Sequence, residues 1–476
     1  MAALAGRVER LAAALRHALP RPRMLGVLAD NGPDWLIVDR AAERIGLPLV
    51  PLPAFFTAAQ LRHAVDATGM DALFCETADA ARALGFRQAG TPDGVSLPWY
   101  RRPAEPVALP AGTSKITFTS GTTGTPKGVC LSAAQQRSVA DALVAATRGL
   151  GIERHLSLLP LPVLLENVAG AYAPMLAGAT CCVPPLAEVG LRGATAFDPL
   201  ACLAAIERWQ AHSVILLPQM MIALTAALEA GARPPSQLRF AAVGGAKVAP
   251  SHVARARSAG LPAYEGYGLS ECASVVALNV PGADLPGSVG RALSHVDVRI
   301  GDDGEILVSR AGFLGYLGAE RKPGRSAWLR TGDLGRLDAA GFLHVEGRRK
   351  HLLITSFGRN VAPEWPEAEL LAGTAIGQAV VFGDARPRLC AVIVPRIPAV
   401  SDAAIEAEVC RANCRLPDYA QVAFWLRADA PFSAETGFAT ANGRIRRDAV
   451  WSRYGASLNA RYQTQTQTGV GLDAVL

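Results

Sequence analysis

Short apolar runs alternate with helix-like segments over most of this chain, from residue 24 to about residue 278. The runs have the length of β-strands, and the segments between them repeat apolar residues at the period of an amphipathic helix. Alternation of this kind predicts parallel sheets that are covered by helices. The predicted strands are residues 24–29, 71–75, 155–159, 179–183, 213–217 and 239–243, and the predicted helices are residues 33–45 (capped by Asn31), 133–146, 164–176, 200–212, 220–230 and 251–259.

The pattern changes after Asn279. Turn-forming pairs such as Pro281-Gly282 and Ala340-Gly341 become frequent and the helical segments shorten, which predicts a β-rich subdomain of hairpins. Because 476 residues are too many for one core, we expect an α/β protein with two domains. Residues 1–349 would form a large domain of helix-covered sheets plus the β-rich subdomain, and residues 350–476 a small α+β domain. Alternating Gln and Thr at 463–468 predict a poorly ordered tail.

Composition excludes several classes of protein. Hydrophobic residues make up 50% of the chain and charged residues 18%, which is typical of a globular protein. The net charge of +6 suits anionic ligands such as nucleotides, but it is spread along the chain and forms no basic arm, so we expect no nucleic-acid partner. No apolar stretch reaches the roughly 18 residues of a membrane span. Arg7, Glu9 and Arg10 interrupt any signal-peptide core, and residues 1–23 predict a surface helix instead.

The nine cysteines are scattered and form no C-x-x-C pair, and the eight histidines show no ligand spacing near them. We therefore expect reduced thiols in a cytoplasmic protein and no zinc site.

The strongest local signal is a loop rich in glycine and hydroxyl groups that runs from Thr119 to Gly128. An apolar strand enters the loop and another leaves it. The glycines let backbone N–H groups converge, the hydroxyls add donors, and Lys127 adds a positive charge. This combination predicts a cradle for a polyphosphate, although it does not match the Walker A pattern. The alternative is an ordinary surface loop. The residues expected to contact phosphate are Thr119, Ser120, Gly121, Thr122, Thr123, Gly124 and Lys127.

This loop resembles the signature of the adenylate-forming superfamily, which comprises acyl-CoA synthetases, firefly-type luciferases and peptide-synthetase adenylation domains. Segments similar to the other signatures follow in the expected order over nearly the whole chain, and the match is closest to fatty acyl-CoA synthetases. The resemblance implies ATP and Mg²⁺ as cofactors. It also implies that the small C-terminal domain is mobile and swivels about a hinge near Lys350.

Two further segments in the large domain are expected to hold the nucleotide. Gly244, Gly245 and Ala246 follow a predicted strand, and the resemblance places adenine against them. In residues 264–271, Tyr267 offers an aromatic face for adenine beside Gly268, and Ser270 offers a hydroxyl for phosphate. Glu271 offers the hard oxygen ligand that Mg²⁺ prefers.

The remaining signatures lie near or within the small domain. The resemblance assigns Asp333 to the ribose hydroxyls, Arg348 to the ribose or the α-phosphate, and Gly358 to the wall of a tunnel for the incoming thiol. Arg444 stands where relatives usually have the lysine that bridges the carboxylate and the α-phosphate. The residue after Lys350 is often aspartate in relatives and is His351 here.

Residues 159–167 resemble a segment near the acyl pocket of long-chain synthetases, with Val163 where those enzymes usually have histidine. Apolar candidates for the pocket favour an aliphatic chain, and ordinary core packing explains them equally well. The candidates are Val163, Leu164, Leu216, Met220, Met221 and Val275.

The resemblance implies an AMP-forming acid–thiol ligase. It would activate a carboxylic acid, expected to be a medium- or long-chain fatty acid, to acyl-AMP and pass the acyl group to CoA. One alternative is a ligase that loads the phosphopantetheine of an acyl carrier protein. The other is a nucleotide-binding protein with weakened catalysis, which Arg444 and Val163 would favour.

Overall fold

The computed structural model describes residues 2–18, 23–119, 126–192, 196–309, 312–319, 328–356, 359–440 and 443–467. The chain divides into two compact units. The first contains Met1–Thr331 and Gly335–Val345, and the second contains Gly332–Leu334 and Glu346–Leu476.

The α-helices are α1 (Ala2–His17), α2 (Pro33–Arg44), α3 (Ala58–Ala67), α4 (Ala78–Ala83), α5 (Ala133–Thr147), α6 (Ala173–Leu176), α7 (Pro199–Arg208), α8 (Pro218–Glu229), α9 (Pro250–Ser258), α10 (Glu364–Leu370), α11 (Asp402–Asn413) and α12 (Arg447–Gln467). The strands up to residue 200 are β1 (Leu25–Leu28), β2 (Leu49–Pro51), β3 (Ala72–Cys75), β4 (Arg87–Gly90), β5 (Trp99–Arg101), β6 (Lys115–Thr119), β7 (Lys127–Leu131), β8 (Arg154–Leu156), β9 (Thr180–Cys182), β10 (Leu191–Arg192) and β11 (Ala196–Phe197). The later strands are β12 (Ser213–Leu216), β13 (Phe240–Val243), β14 (Ala263–Leu269), β15 (Ser274–Leu278), β16 (Arg291–Ala292), β17 (Asp297–Ile300), β18 (Glu305–Ser309), β19 (Gly315–Tyr316), β20 (Trp328–Leu337), β21 (Leu343–Arg348), β22 (Leu353–Ile354), β23 (Asn360–Val361), β24 (Ile376–Phe382), β25 (Leu389–Pro395) and β26 (Val422–Arg427).

The first sheet has the strand order β19-β7-β6-β2-β1-β3-β5-β4. Its centre is parallel, with Leu25 opposite both Leu49 and Ala72, and its edges are antiparallel. Strands β1 and β3 are buried along their whole length because helices cover the sheet. The predicted arrangement of helix-covered sheets is therefore confirmed, with antiparallel strands added at the edges.

The second sheet has the order β16-β15-β14-β13-β12-β8-β9. Strands β9, β8, β12, β13 and β14 run parallel, and β15 returns antiparallel to β14. The carboxyl ends of parallel strands lie at one edge of a sheet, where open α/β sheets usually bind ligands. The strands predicted at residues 213–217 and 239–243 are β12 and β13, which are neighbours in the middle of this sheet.

A four-stranded sheet of order β17-β18-β20-β21 follows, and its hairpin β17–β18 pairs Asp297 with Ser309. The predicted β-rich region is therefore present. The second unit contains a three-stranded sheet of order β24-β25-β26, packed between two apolar clusters. One cluster contains Ile405 and Val409 of α11, and the other contains Val450 and Leu458 of α12.

Three local predictions were wrong. Asn31 does not cap α2, whose N-cap is Gly32. The buried side-chain amide of Asn31 instead donates through Nδ2 to the carbonyl of Leu159 and accepts through Oδ1 from the N–H of Leu161. Most of the helix predicted at residues 164–176 is a π-helix, Glu166–Tyr172, before α6. The tail predicted to be poorly ordered at residues 463–468 is helical to Gln467, as the continuation of α12, whose buried residues four apart end at Tyr462, directly before that tail.

Candidate active site

The two ends of the predicted phosphate loop lie side by side. Strands β6 and β7 form an antiparallel pair in which Thr119 is opposite Lys127. His63 on α3 lies close to the exit of the loop, and its Nε2 atom donates to the carbonyl of Pro126 at 3.1 Å. Ser120, Gly121, Thr122, Thr123 and Gly124 lie outside the described residues. The structure thus describes the two strands that flank the loop.

A tyrosine that sequence reasoning missed lies between Lys127 and Glu271. Strand β19 adds to the edge of the first sheet, with Tyr316 opposite Val129 of β7. The Nζ atom of Lys127 lies 5.8 Å from the centre of the Tyr316 ring, within range of a cation–π interaction. The Tyr316 hydroxyl donates to Oε1 of Glu271 at 2.7 Å. The predicted phosphate-binding lysine and the predicted metal ligand therefore contact the same side chain.

Glu271 lies in a short 3-10 helix, Ser270–Cys272, directly after β14. Its backbone carbonyl accepts a hydrogen bond of 2.9 Å from the side-chain amide of Gln135 on α5. The two residues that follow this 3-10 helix, Ala273 and Ser274, have positive φ of 55° and 114°. Such backbone conformations are costly for non-glycine residues and are often found at functional sites. The turn that presents Glu271 is therefore held from the side of α5 and is locally strained.

Gly268 is required by the same turn. Strand β14 has an irregular register between Tyr267 and Gly268, and a Cβ atom at position 268 would collide with the carbonyl oxygen of Ser274. Tyr267 is half-buried and packs against the apolar cluster that contains Val276 and Ile306. The absence of a side chain at position 268 therefore allows β14 to lie close to the start of β15.

The predicted adenine segment lies at the carboxyl end of β13. Val243 pairs with Glu265 of β14, so Gly244 lies beside Gly266 at the same edge of the sheet. Gly244 is buried and donates its N–H to the carbonyl of Leu216, whereas Gly245, with φ of 94°, and Ala246 are exposed. The structure thus brings this segment and the Tyr267 region to neighbouring strand ends of the second sheet.

The predicted ribose residues are paired in the second unit. Arg348 Nε lies 2.8 Å from Oδ1 of Asp333, and Asp333 is 4% exposed. A buried carboxylate of this kind needs a hydrogen-bonding partner, and Arg348 supplies one.

Lys350 is exposed in the 3-10 helix Arg349–His351. The adjacent His351 has its Nδ1 atom 2.7 Å from Oε1 of Glu364, the first residue of α10. Burial opposes ionisation of Glu364, but the hydrogen bond with His351 and the charge of Arg447 together lower its pKa. The histidine that replaces the aspartate of relatives is therefore paired with an acid. Gly358 lies outside the described residues.

Arg444 lies in an exposed turn before α12. The backbone N–H of Thr440 donates to the carbonyl of Arg444 at 2.7 Å, and an isolated bridge joins Ala439 to Ile445. The Oγ1 atom of Thr440 accepts in return from the N–H of Arg444. These bonds fix the backbone on which the arginine side chain is presented.

Five of the six candidate pocket residues, all except Val163, belong to apolar core clusters. Leu216 and Met221 have no exposed surface, so they cannot line an open pocket. The other buried candidates are 3–7% exposed. Leu216, Met220 and Met221 belong to the apolar cluster between the second sheet and helices α7 to α9. Val163 is half-buried.

Sequence reasoning also missed the polar groups around the π-helix. Glu166 is fully buried and accepts from His155 Nε2 at 3.1 Å and from the N–H of Leu159 at 3.2 Å. Lys115 is buried with Asp39 at 2.8 Å and with Tyr172, whose hydroxyl donates to the same aspartate. Buried ionic and polar groups are costly unless partnered, so these residues hold the π-helix against the sheets.

All nine cysteines are free, and Cys410 and Cys414 are exposed. In the part of the chain that the structure describes, no helix has both the length and the apolarity needed to cross a membrane.

The fold is that of an α/β protein with two helix-covered sheets, and the first sheet places the two strands that flank the glycine-rich segment side by side. The family model of AMP-binding enzymes matches residues 2–317, and that of the AMP-binding enzyme C-terminal domain matches residues 350–466. The chain therefore belongs to the AMP-binding enzyme family, and the predicted membership of the adenylate-forming superfamily is confirmed.

Three known proteins illustrate the similarity. A feruloyl-CoA synthase of Amycolatopsis is 31% identical over 426 residues, which are 83% of this chain and 83% of that enzyme. The long-chain-fatty-acid–CoA ligase FadD15 of Mycobacterium bovis is 34% identical over 237 residues, 44% of this chain and 39% of the ligase. The amide bond synthetase McbA of Marinactinospora thermotolerans superposes with a TM-score of 0.75 at 28% identity, covering 95% of this chain and 94% of McbA.

Proposed function

We propose that this protein activates a carboxylic acid with ATP to form an acyl-adenylate and then transfers the acyl group to the thiol of CoA. One observation carries the proposal. In a chain of the AMP-binding family, Lys127 at the exit of the glycine-rich loop and Glu271 after β14 both contact Tyr316. A cation and a carboxylate presented beside a glycine-rich loop suit a magnesium-bound polyphosphate.

The residues present fit ATP and Mg²⁺. Among the described residues Lys127 makes no ion pair with a carboxylate, and Oε2 of Glu271 accepts no hydrogen bond. The lysine is therefore available for phosphate oxygens and the carboxylate for a hard cation. When bound, magnesium–ATP supplies an activated α-phosphorus that a carboxylate can attack.

The protein's contribution to the first step is alignment and charge neutralisation, because two anions must meet. We assign the loop residues Thr119 to Gly124, Ser270 and Lys127 to the phosphates, and Glu271 to the metal. Arg444 would neutralise charge at the α-phosphorus. Gly244, Gly245, Ala246, Tyr267 and Gly268 would hold the adenine, and Asp333 with Arg348 the ribose.

For the second step we propose two domains, residues 1–349 and 350–476, with a swivel at Lys350. Rotation would remove Arg444 from the reacting centre and present Gly358 to the incoming thiol. We propose a medium- or long-chain fatty acid as the substrate, because the half-buried Val163 offers apolar surface and the sequence motifs include no aspartate placed to hold an α-ammonium group. The proposed compartment is the cytoplasm.

Pyrophosphate exchange into ATP tests the first step directly. A panel of saturated fatty acids of different lengths and of aryl acids should give exchange with at least one aliphatic acid. Exchange with aryl acids alone would contradict the proposed substrate but not the chemistry. Exchange with no acid would instead support the second candidate, a nucleotide-binding protein with weakened catalysis.

The acceptor is tested with the best acid of that panel. AMP release should accelerate on addition of CoA, with a thioester as the product. Acceleration by a phosphopantetheinylated carrier protein, and not by CoA, would favour the carrier-loading alternative. A simple amine is a useful third arm, because the structurally similar McbA is an amide bond synthetase.

A further inference from the structure

Tyr316 contacts both charged groups assigned to magnesium–ATP, and nothing in the proposed function yet assigns a role to it. Its ring lies beside the Lys127 ammonium and its hydroxyl donates to Glu271. We propose that Tyr316 is a positioning residue that aims the Glu271 carboxylate at the magnesium ion and keeps Lys127 from pairing with that carboxylate. This inference rests on the proposed function.

The tyrosine itself is held in place by backbone pairing. Strand β19 is only two residues long, Gly315–Tyr316, and pairs with β7. The next residue, Leu317, donates its N–H to the carbonyl of Gly128 at 2.8 Å, which continues the pairing. The Tyr316 ring also meets Phe313 edge-to-face, with ring centres 5.0 Å apart. Since β7 begins at Lys127, the lysine and the tyrosine are fixed to the same edge of the sheet.

Glu271 is held both at its side chain and at its backbone. Tyr316 donates to one carboxylate oxygen, and Gln135 donates to the backbone carbonyl of Glu271. A hydrogen bond to one oxygen of a ligating carboxylate fixes the direction of the other, and loss of such a support typically lowers metal affinity 10-fold to 100-fold. The geometry leaves Oε2 as the oxygen for the metal.

The ring has a separate consequence for Lys127. A lysine and a glutamate close together attract each other, and an ion pair between them would occupy the groups that phosphate and metal need. Contact with an aromatic face stabilises the ammonium without neutralising it. The ring thereby keeps the Lys127 charge available for phosphate oxygens.

Tyr316→Phe separates the two roles, because it removes the hydroxyl and keeps the ring. The measurement is calorimetric binding of an ATP analogue with a non-cleavable α,β-methylene bridge, titrated over free Mg²⁺. We expect half-saturation to need about 10-fold more Mg²⁺ than in the wild type, while analogue binding in EDTA and the thermal midpoint without nucleotide stay unchanged. Tyr100→Phe is the matched control, since Tyr100 is a buried tyrosine of β5 in the same unit.

A double-mutant cycle tests whether Tyr316 acts through Glu271. Glu271→Gln and the double variant Glu271→Gln/Tyr316→Phe should have the same Mg²⁺ dependence, because the hydroxyl has lost the carboxylate that it positions. Tyr316→Leu should also weaken analogue binding in EDTA, because Lys127 loses the ring.

Two results would overturn the proposal: a Tyr316→Phe variant with wild-type Mg²⁺ dependence, or additive effects in the cycle. Because binding needs no turnover, a wild type that shows Mg²⁺-dependent binding but no pyrophosphate exchange would refute the proposed function and leave this role of Tyr316 standing. A wild type without Mg²⁺-dependent binding would refute both.

Discussion

Glu265 is an acid that folding removes from water. It is 6% exposed in β14, and burial raises its pKa to about 7, although Oε2 accepts the N–H of Gly287 at 3.1 Å. Between the pKa of an ordinary glutamate and about 7, the unfolded chain loses the proton that the folded chain keeps. The free energy of unfolding therefore falls as the pH rises through this window.

Glu265→Gln should abolish that part of the pH dependence. The amide can still accept the Gly287 N–H through its oxygen, and it does not titrate. Relative to the wild type, we expect the variant to gain stability between pH 5 and 8, by at most about 3 kcal/mol at pH 8. Urea unfolding at a series of pH values measures the gain, with Glu153→Gln at an exposed position as the control. Parallel curves for wild type and variant would show that Glu265 does not titrate in this range.

Arg444 allows a second test at the scale of one residue. An ammonium on a flexible stem can approach both the carboxylate and the α-phosphate, whereas a planar guanidinium is wider. We therefore expect Arg444→Lys to increase the rate of pyrophosphate exchange with the best acid. Arg444→Ala should decrease it about 100-fold, because the charge at the transition state is lost. If the lysine variant were as slow as the alanine variant, charge alone at position 444 would not support this step, and the expectation that an ammonium fits better would be wrong.

At the scale of elements, the π-helix Glu166–Tyr172 depends on a glycine that admits a buried acid. A Cβ atom on Gly170 would collide with Glu166 Oε1 and lie 2.8 Å from His155 Nε2. Gly170→Ala should therefore destabilise the protein by about 1–3 kcal/mol, because the buried pair must move. Thermal or urea unfolding measures this loss.

The matched control for Gly170→Ala is Gly6→Ala in α1, where the nearest atom to the new Cβ is 3.6 Å away. Alanine should stabilise that helix by about 0.5–1 kcal/mol. Equal effects of the two substitutions would mean that the packing around Glu166 adapts to the extra methyl group.

Regular strands and α-helices could be predicted well from the sequence, whereas the π-helix and the contacts of Asn31 could not, and the reason is physical. Apolar periodicity gave strands such as β12 and helices such as α5 nearly to the residue, because burial of one face determines both. Periodicity does not distinguish an α-helix from a π-helix, so Glu166–Tyr172 was missed. The prediction that Asn31 caps α2 was wrong because its hydrogen-bonding partner, Leu159, is distant in the chain.

At the scale of the whole molecule, contacts between residues that are distant in the chain also limited what could be predicted of the candidate site. Local motifs predicted Lys127 and Glu271, since each lies in a distinctive run of residues. Tyr316 has no such run, and its role depends on β19 pairing with β7 across a gap in sequence that spans most of the first unit. Contacts of this kind follow from the fold and cannot be obtained from spacing.

The proposed swivel predicts that adenylation and thioester formation respond differently to a substitution at Lys350. Lys350 is exposed and close to the paired His351 and Glu364. Proline at position 350 would fix its own φ and restrict the backbone of Arg349, and so limit rotation there. Lys350→Ala removes the charge without this restriction and serves as the control.

If adenylation and thioester formation need different backbone conformations at residue 350, Lys350→Pro cannot satisfy both. We expect pyrophosphate exchange and single-turnover transfer from acyl-AMP to CoA to change unequally, with a ratio that differs from the wild type by at least about 10-fold. The alanine variant should keep the wild-type ratio. Equal losses in both half-reactions would indicate general destabilisation and would remove the basis for a hinge at this position, because a swivel acts between the two steps and not on both alike.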